Sequence, residues 1–392
     1  MQIDIPEALI EKLVQIRRSL HANPELAFEE YETTATLVQL LTEYNIRILP
    51  LPLQTGLVAE IGNENNGPTI AIRADIDALP IQEETGLSYS SRIPNKMHAC
   101  GHDFHTVAIL GTAILLKKIE KELSGKVQII FQPAEEIGKG ALEIIKTNVL
   151  KDTKVIIGMH NKPDLPTGTI GIKKGPLMAS ADGFTVEING KSSHAAVPEA
   201  GLDSILSASH IITSLQSIVS RNISPLESAV VSVTKFHSGR ASNVIADKAV
   251  FSGTVRTFNK KVRQTIQDRL DEICKSIGGA FNTDVHTIWN AGPPTVTNDE
   301  KLARLARDIA IKQGLNVIEP KVSAASEDFS YYLEEIPGLF VFFGTSGKHE
   351  WHHPQFDLDE SAILLSVRFF TDFSITILDE LSKKVVNIGG NK

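Results

Sequence analysis

Apolar positions in the first forty residues recur at helical spacing. Leu9, Leu13, Ile16 and Leu20 mark one face, and Ala35, Val38 and Leu41 mark a second, with Asn23-Pro24 breaking the chain between them. Short β-rich runs follow, Gly56 to Ile61 and Thr69 to Ala74. Val107 to Ile119 is apolar with helical period. It is followed by a strand Val127 to Phe131, a helix Ala141 to Thr147 and a strand Val155 to Ile157. This alternation predicts an α/β domain with a parallel or mixed central sheet.

Near Ala181 the rhythm changes. A strand Phe184 to Ile188 ends at Asn189-Gly190, and a helix runs from about Leu202 to Val219. Strands Ala229 to Phe236 and Ala249 to Phe258, a helix Val262 to Ile277 and a strand Val285 to Ile288 complete the order β-α-β-β-α-β of a ferredoxin-like unit. After Gly292-Pro293-Pro294 the first rhythm returns, with a helix Glu300 to Gln313, a strand Gly338 to Phe343 and a helix Ser361 to Leu381. The expected organisation is one α/β domain over 1–180 and 297–392, interrupted by an inserted α+β domain over 181–296.

The 392 residues are too many for one ordinary domain, so composition agrees with a division in two. The net charge of -8 argues against nucleic acid as the main partner, since phosphate binding needs a basic surface. Two cysteines cannot form a disulfide framework, which points to a reducing interior. Met1 to Pro6 does not read as a signal peptide. No run approaches ~18 uninterrupted apolar residues, so no membrane span is expected and the expected location is the cytosol.

Chemistry concentrates between Met97 and His105, where His98, Cys100, His102, Asp103 and His105 crowd into one short segment. A thiolate and an imidazole two residues apart can reach one small volume, which suits a transition metal better than a core. Further donors follow apolar runs or lie in loops: Asp75 and Asp77, Glu135 and Glu136, His160, His352 and His353. In open α/β sheets ligands gather at the carboxyl ends of strands, which gives these distant residues a common address. Mixed sulfur, nitrogen and carboxylate donors suit Zn, Mn, Co or Ni rather than Mg or Ca. The donors exceed one tetrahedral shell, so two ions are expected, and Cys100 is the natural bridge. Of Glu135 and Glu136, one can bind metal while the other takes a proton from the nucleophilic water.

Eight segments together resemble the M20 family of metallopeptidases and amidohydrolases, in its N-acyl-amino-acid amidohydrolase branch. They are Arg18 to Glu25, Arg73 to Pro80, His98 to His105, Gln132 to Glu136, Gly158-Met159-His160, Gly190 to Ala196, Ser326 to Phe329 and His352-His353-Pro354. The resemblance runs from about His21 to Glu360. It implies that Cys100 is the bridging ligand, that His102, Glu136, His160 and His352 complete two metal shells, and that Glu135 is the general base. Asp77 would orient a ligand. His194, in the inserted domain, would reach the active site of a partner subunit and stabilise the oxyanion, with Asn243 similarly placed. The implied assembly is a homodimer, and larger oligomers stay open. Relatives carry leucine where this chain has Trp351, a change expected to reshape the pocket rim.

The ordinary alternatives also have weight. His98 and His105 can be residues of helix entry or support, Asp75 a structural cap, and Glu327 and Asp328 acids at a helix start. Cys274 reads as a buried thiol; His21, His210, His237, His286 and His349 carry no assigned chemistry. The expected activity is hydrolysis of an N-acyl amino acid, with a di- or tripeptidase as the second enzymatic reading and a non-catalytic metal-binding protein as the third.

Overall fold

The computed structural model of the chain describes residues 4–62 and 67–389. The expectation for Met1 to Ile3 falls outside the described residues. The fold separates into two compact units. The first takes residues through 175, 297–321 and 331 onward; the second takes 176–296 and 322–330.

The first unit is built on an eight-stranded mixed sheet. Its order is Arg47–Ile48, Leu57–Gly62, Lys126–Gln132, Thr69–Asp75, Thr153–Lys162, Gly338–Gly344, Thr169–Gly171 and Asn316–Ile318. The four central strands, from Lys126–Gln132 to Gly338–Gly344, run parallel to one another, and the strands that flank this set pair with it antiparallel. Their near-continuous burial explains why they read as apolar runs rather than alternating ones. Side chains such as Val127, Ile129 and Phe131 are fully buried, each worth roughly 1.5–3 kcal/mol against exposure. The helix His102–Lys118 packs on the strand Thr69–Asp75 and on the helices Glu7–Ala22 and Ala362–Gly389. Among the described residues, no helix is long and apolar enough to cross a membrane.

The second unit holds a four-stranded antiparallel sheet ordered Ala229–Ser238, Lys248–Thr257, Ser180–Asn189, Asp284–Asn290. Buried and half-buried positions alternate strictly along Ser180–Asn189, the signature of a sheet with one covered face. Phe184, Val186 and Ile188 share a core with Ile211 and Leu215 of the helix Ser204–Ser217 and with Ile266 and Leu270 of the helix Lys260–Ala280.

Two elements differ from expectation in ways that matter for the site. The helix expected from Val107 begins at His102, because its first turn is polar yet buried and breaks the apolar period. The strand expected over Val155 to Ile157 continues to Lys162, so His160 lies within it rather than beyond its end.

Candidate metal centre

The parallel strands deliver donors to their carboxyl ends. Asp75 ends its strand, Glu135 and Glu136 follow Gln132 closely, His160 lies near the end of its strand, and the segment after Gly344 leads to His352. Gly101 then turns the chain into the helix His102–Lys118 with φ 82. A β-carbon there would stand 2.5 Å from Asn161 Nδ2, so the position excludes a side chain on conformation and on space. The turn leaves Cys100 beside the helix start and places His102 and His105 on neighbouring positions of its first turn, ring centroids 5.4 Å apart.

Hydrogen bonds fix which nitrogen each imidazole offers. The Asn161 backbone N–H donates to His105 Nε2 at 2.9 Å, so the ring proton is on Nδ1, which meets Asp75 Oδ1 at 2.6 Å. Both nitrogens of His105 are thereby engaged, and it supports the site rather than ligating. Asp75 also accepts from Arg73 Nη1 at 2.7 Å; it is a buried orienting carboxylate and not a cap. His160 Nδ1 faces the Asn161 carbonyl at 2.8 Å, which leaves Nε2 toward Cys100 Sγ at 3.3 Å. His102 Nδ1 faces Asp77 Oδ1 at 3.2 Å, and its Nε2 is buried with no hydrogen-bond partner.

Two ligand triplets share the thiol. Cys100, His102 and His160 offer donor atoms within 4.8 Å of one another, and so do Cys100, Glu136 and His352. His352 and His353 are both exposed, but His352 Nε2 lies 3.5 Å from Glu136 Oε2, whereas the His353 ring stacks on His349 at 4.3 Å. The buried Glu136 Oε1 has no hydrogen-bond partner either. Unpartnered buried polar atoms are costly, and a thiol-imidazole-carboxylate set converging on them fits divalent transition-metal ions.

The electrostatics agree. Burial, with Glu136 and Glu135 nearby, pushes the Cys100 thiol well above its usual range. Burial lifts Glu136 to about 7 against the pull of His102. Burial works against a proton on His102, but Asp75, Asp77 and Glu136 outweigh it and hold the ring up to about 10. A carboxylate cluster this dense retains either a proton or a cation; binding the cation releases protons from the ligands.

Glu135 and Glu136 sit on a loop held by two carboxylates. Glu30, fully buried, accepts the Ala134 N–H at 2.8 Å through Oε1 and the Thr55 hydroxyl at 2.6 Å through Oε2. Asp77 Oδ2 accepts the Glu136 N–H at 3.0 Å. Ala134 itself is left-handed, φ 53, an unfavourable conformation for an L-residue that the Glu30 contact helps to hold. Glu30 carries no sequence signal beyond a glutamate before a helix. A second buried network lies behind the cysteine segment: Asp103 Oδ2 meets Arg17 Nε at 3.0 Å and His21 Nδ1 at 2.9 Å. His21, which the sequence left without a role, therefore helps to seat the helix that bears His102.

His194 and Asn243 are both exposed in the second unit. The two-residue strands Ser193–His194 and Val244–Ile245 pair there, with His194 opposite Val244 and the Ala195 N–H donating to the Asn243 carbonyl at 2.9 Å. Glu327 and Asp328, also in the second unit, are buried. Cys274 is a buried free thiol on the helix Lys260–Ala280.

Comparison with known proteins matches the sequence and the fold to one family of hydrolases. Residues 71–375 match peptidase family M20/M25/M40, and the chain belongs to that family. It is similar to the N-acetyl-L-cysteine deacetylase of Bacillus subtilis (strain 168), 51% identical over 95% of this chain and 89% of the relative. A second protein of that organism, an N-acetylcysteine deacetylase, is 47% identical over 96% of this chain and 99% of its own. Among solved structures, the Bacillus subtilis YXEP protein, described as a dinuclear metal binding peptidase from the M20 family, superposes with a TM-score of 0.87. It is 44% identical, covering 95% of this chain and 99% of that one.

Proposed function

We propose that this chain is a metal-dependent amidohydrolase that splits N-acyl amino acids into a carboxylic acid and a free amino acid. The observation that carries the reading is the thiol Cys100 shared by two ligand triplets, beside a loop that presents two consecutive glutamates. Cys100, His102, Glu136, His160 and His352 would hold two divalent ions, of Zn, Mn, Co or Ni type, with Cys100 common to both. The ions supply Lewis acidity at the amide carbonyl and lower the pKa of a water to roughly 7. Glu135, nine-tenths buried, takes the proton of the attacking water and later returns it to the leaving nitrogen. Asp77 holds His102 by its Nδ1 and the loop by the Glu136 amide, so ligand and base keep one geometry.

The second unit, over about 181–296, serves dimerisation in this reading. Its sheet edge Ala229–Ser238 has no strand on its outer side among the described residues, and Val197, Ile205, Leu206 and Val244 are exposed apolar residues of the same unit. Unpaired edges and apolar patches are what an interface covers. Across it His194, with Asn243 beside its strand, would donate to the developing oxyanion of the partner's substrate, a contribution of roughly 3 kcal/mol. The names of the two Bacillus subtilis relatives support an N-acetylated cysteine as the first substrate class to test.

The test is amine release from N-acetylcysteine, other N-acetyl- and N-benzoyl-amino acids and dipeptides. It is run on chelator-stripped protein with and without added Mn, Zn, Co or Ni. Metal-restored hydrolysis of acyl-amino acids is expected. Cleavage confined to dipeptides would replace this reading with a peptidase, and silence across the panel with two ions bound would overturn it.

A further inference from the structure

His160 differs from its neighbours in how it is held. His102 and His105 each rest Nδ1 on a carboxylate, Asp77 and Asp75. His160 rests Nδ1 on a backbone carbonyl alone, that of Asn161, at 2.8 Å. A neutral carbonyl orients a ring less firmly than a charged partner. The structure supplies a second restraint in Trp351. Its ring centroid lies 4.5 Å from that of His160 at an interplanar angle of 59°. Its indole N–H points to the Asn161 carbonyl at 3.1 Å, the same oxygen that His160 Nδ1 uses, with Asn161 Oδ1 at 3.2 Å. Asn161 is fully buried, and its Nδ2 donates to the Cys100 carbonyl at 2.5 Å. The indole is itself confined, with Phe342 at 6.2 Å between centroids and Lys162 Nζ at 4.6 Å from the ring centroid. One residue thus touches the ring of a candidate ligand and the carbonyl that sets its tautomer, and through Asn161 it is linked to the backbone of the thiol.

We propose that Trp351 is a positioning residue for the metal centre: it fixes the ring plane of His160 and the Asn161 carbonyl, so that Nε2 is presented with its lone pair toward Cys100. A leucine at this position has no planar face for the imidazole and no donor for the carbonyl. The expected rim residue is therefore part of the ligand support. This inference rests on the reading of His160 as a ligand, and its test separates the two.

Full-length protein is stripped of metal and titrated with Zn against a chromophoric chelator, and the number of ions and both affinities are read. Trp351→Leu is expected to weaken one of the two ions by 10- to 100-fold, the range for lost ligand support, with the other ion little changed. Trp351→Phe keeps a planar face and loses the N–H, so it should fall between parent and Trp351→Leu. Circular dichroism of each variant establishes that it is folded, and the Phe variant remains informative if the Leu variant is not. His160→Ala serves as the control. Parent-like binding of two ions by His160→Ala would remove His160 from the ligand set. Loss of an ion in His160→Ala, with parent affinity in both folded Trp351 variants, would overturn the role of Trp351 alone.

Discussion

Asp77 Oδ1 lies 3.2 Å from His102 Nδ1, and both side chains are buried. The carboxylate's other oxygen accepts the Glu136 N–H at 3.0 Å, so one residue orients a ring and a glutamate-bearing loop together. Asp77→Asn can still accept once but must turn an amide N–H toward one of two donors. It is expected to weaken metal binding by about 10- to 100-fold. Metal content after dialysis against graded chelator measures this, and parent affinity in a folded variant would exclude the orienting role.

Glu135 and Glu136 are neighbours with different assignments. Glu136 shares ligand triplets with Cys100 and His102, and its Oε1 is buried without a hydrogen-bond partner. Glu136→Ala should therefore lose metal and turnover together. Glu135→Gln should keep both ions while turnover falls by about 100-fold or more, the scale of a lost general base. Ion counts by atomic absorption beside single-turnover rates decide it, and full activity in Glu135→Gln would reassign the base.

Glu30 reaches the same loop from across the chain. Removing its carboxylate leaves the Ala134 N–H and the Thr55 hydroxyl without their buried acceptor, each such loss costing about 1–3 kcal/mol. Glu30→Ala is expected to lower the melting temperature and to reduce kcat by about tenfold or more through displacement of Glu135, with KM changed less. A variant that melts lower but keeps the parent kcat would limit Glu30 to stability.

The alternation of strands and helices was legible because the central strands are buried on both faces and read as apolar runs. The donor residues were legible because histidines, a cysteine and acids seldom cluster at strand ends for packing alone. The supports were not. Glu30 and Ala134 are joined across 104 positions, and a left-handed alanine leaves no mark on composition. Buried polar residues at His102, Asp103 and His105 broke the apolar period and hid the first turn of their helix. The strands Thr169–Gly171 and Asn316–Ile318 span too few residues to show a period. Trp351 looked like rim because its partners, Asn161 and His160, are brought to it only by the fold.

Two neighbouring histidines should tilt the stability of the metal-free protein in opposite directions with pH. His21 and His98, ring centroids 6.4 Å apart, are both buried. Burial disfavours a proton on His21, but Asp103 and Glu83 outweigh it and hold the ring up to about 9. Burial lowers His98 to about 4, with Asp103 opposing. Both titrate near 6.5 when unfolded. Between 6.5 and about 9 the folded chain binds more protons at His21, so its contribution falls as pH rises. Between about 4 and 6.5 the unfolded chain binds more protons at His98, so stability falls as pH drops. Melting temperatures of chelator-treated protein across this range should carry both slopes, on a background to which Glu136, lifted to about 7, and His102, held up to about 10, add a fall with rising pH. His98→Gln should soften the acid side, and an unchanged acid slope would remove His98 as its cause.

His194 offers a test of shared active sites. If it serves the partner's substrate, a His194→Ala chain has an intact metal centre but depends on its neighbour for the donor. A Glu135→Gln chain supplies that donor but lacks the base. Each protein alone should be nearly inactive. After subunit exchange about half of the dimers are mixed, and each mixed dimer contains one complete site, so about a quarter of parent activity should return, as two-fold symmetry requires. Native mass spectrometry verifies the exchange. Recovery near that level assigns His194 to the opposite subunit. No recovery in verified mixed dimers would confine its action to its own chain or remove it from the reaction.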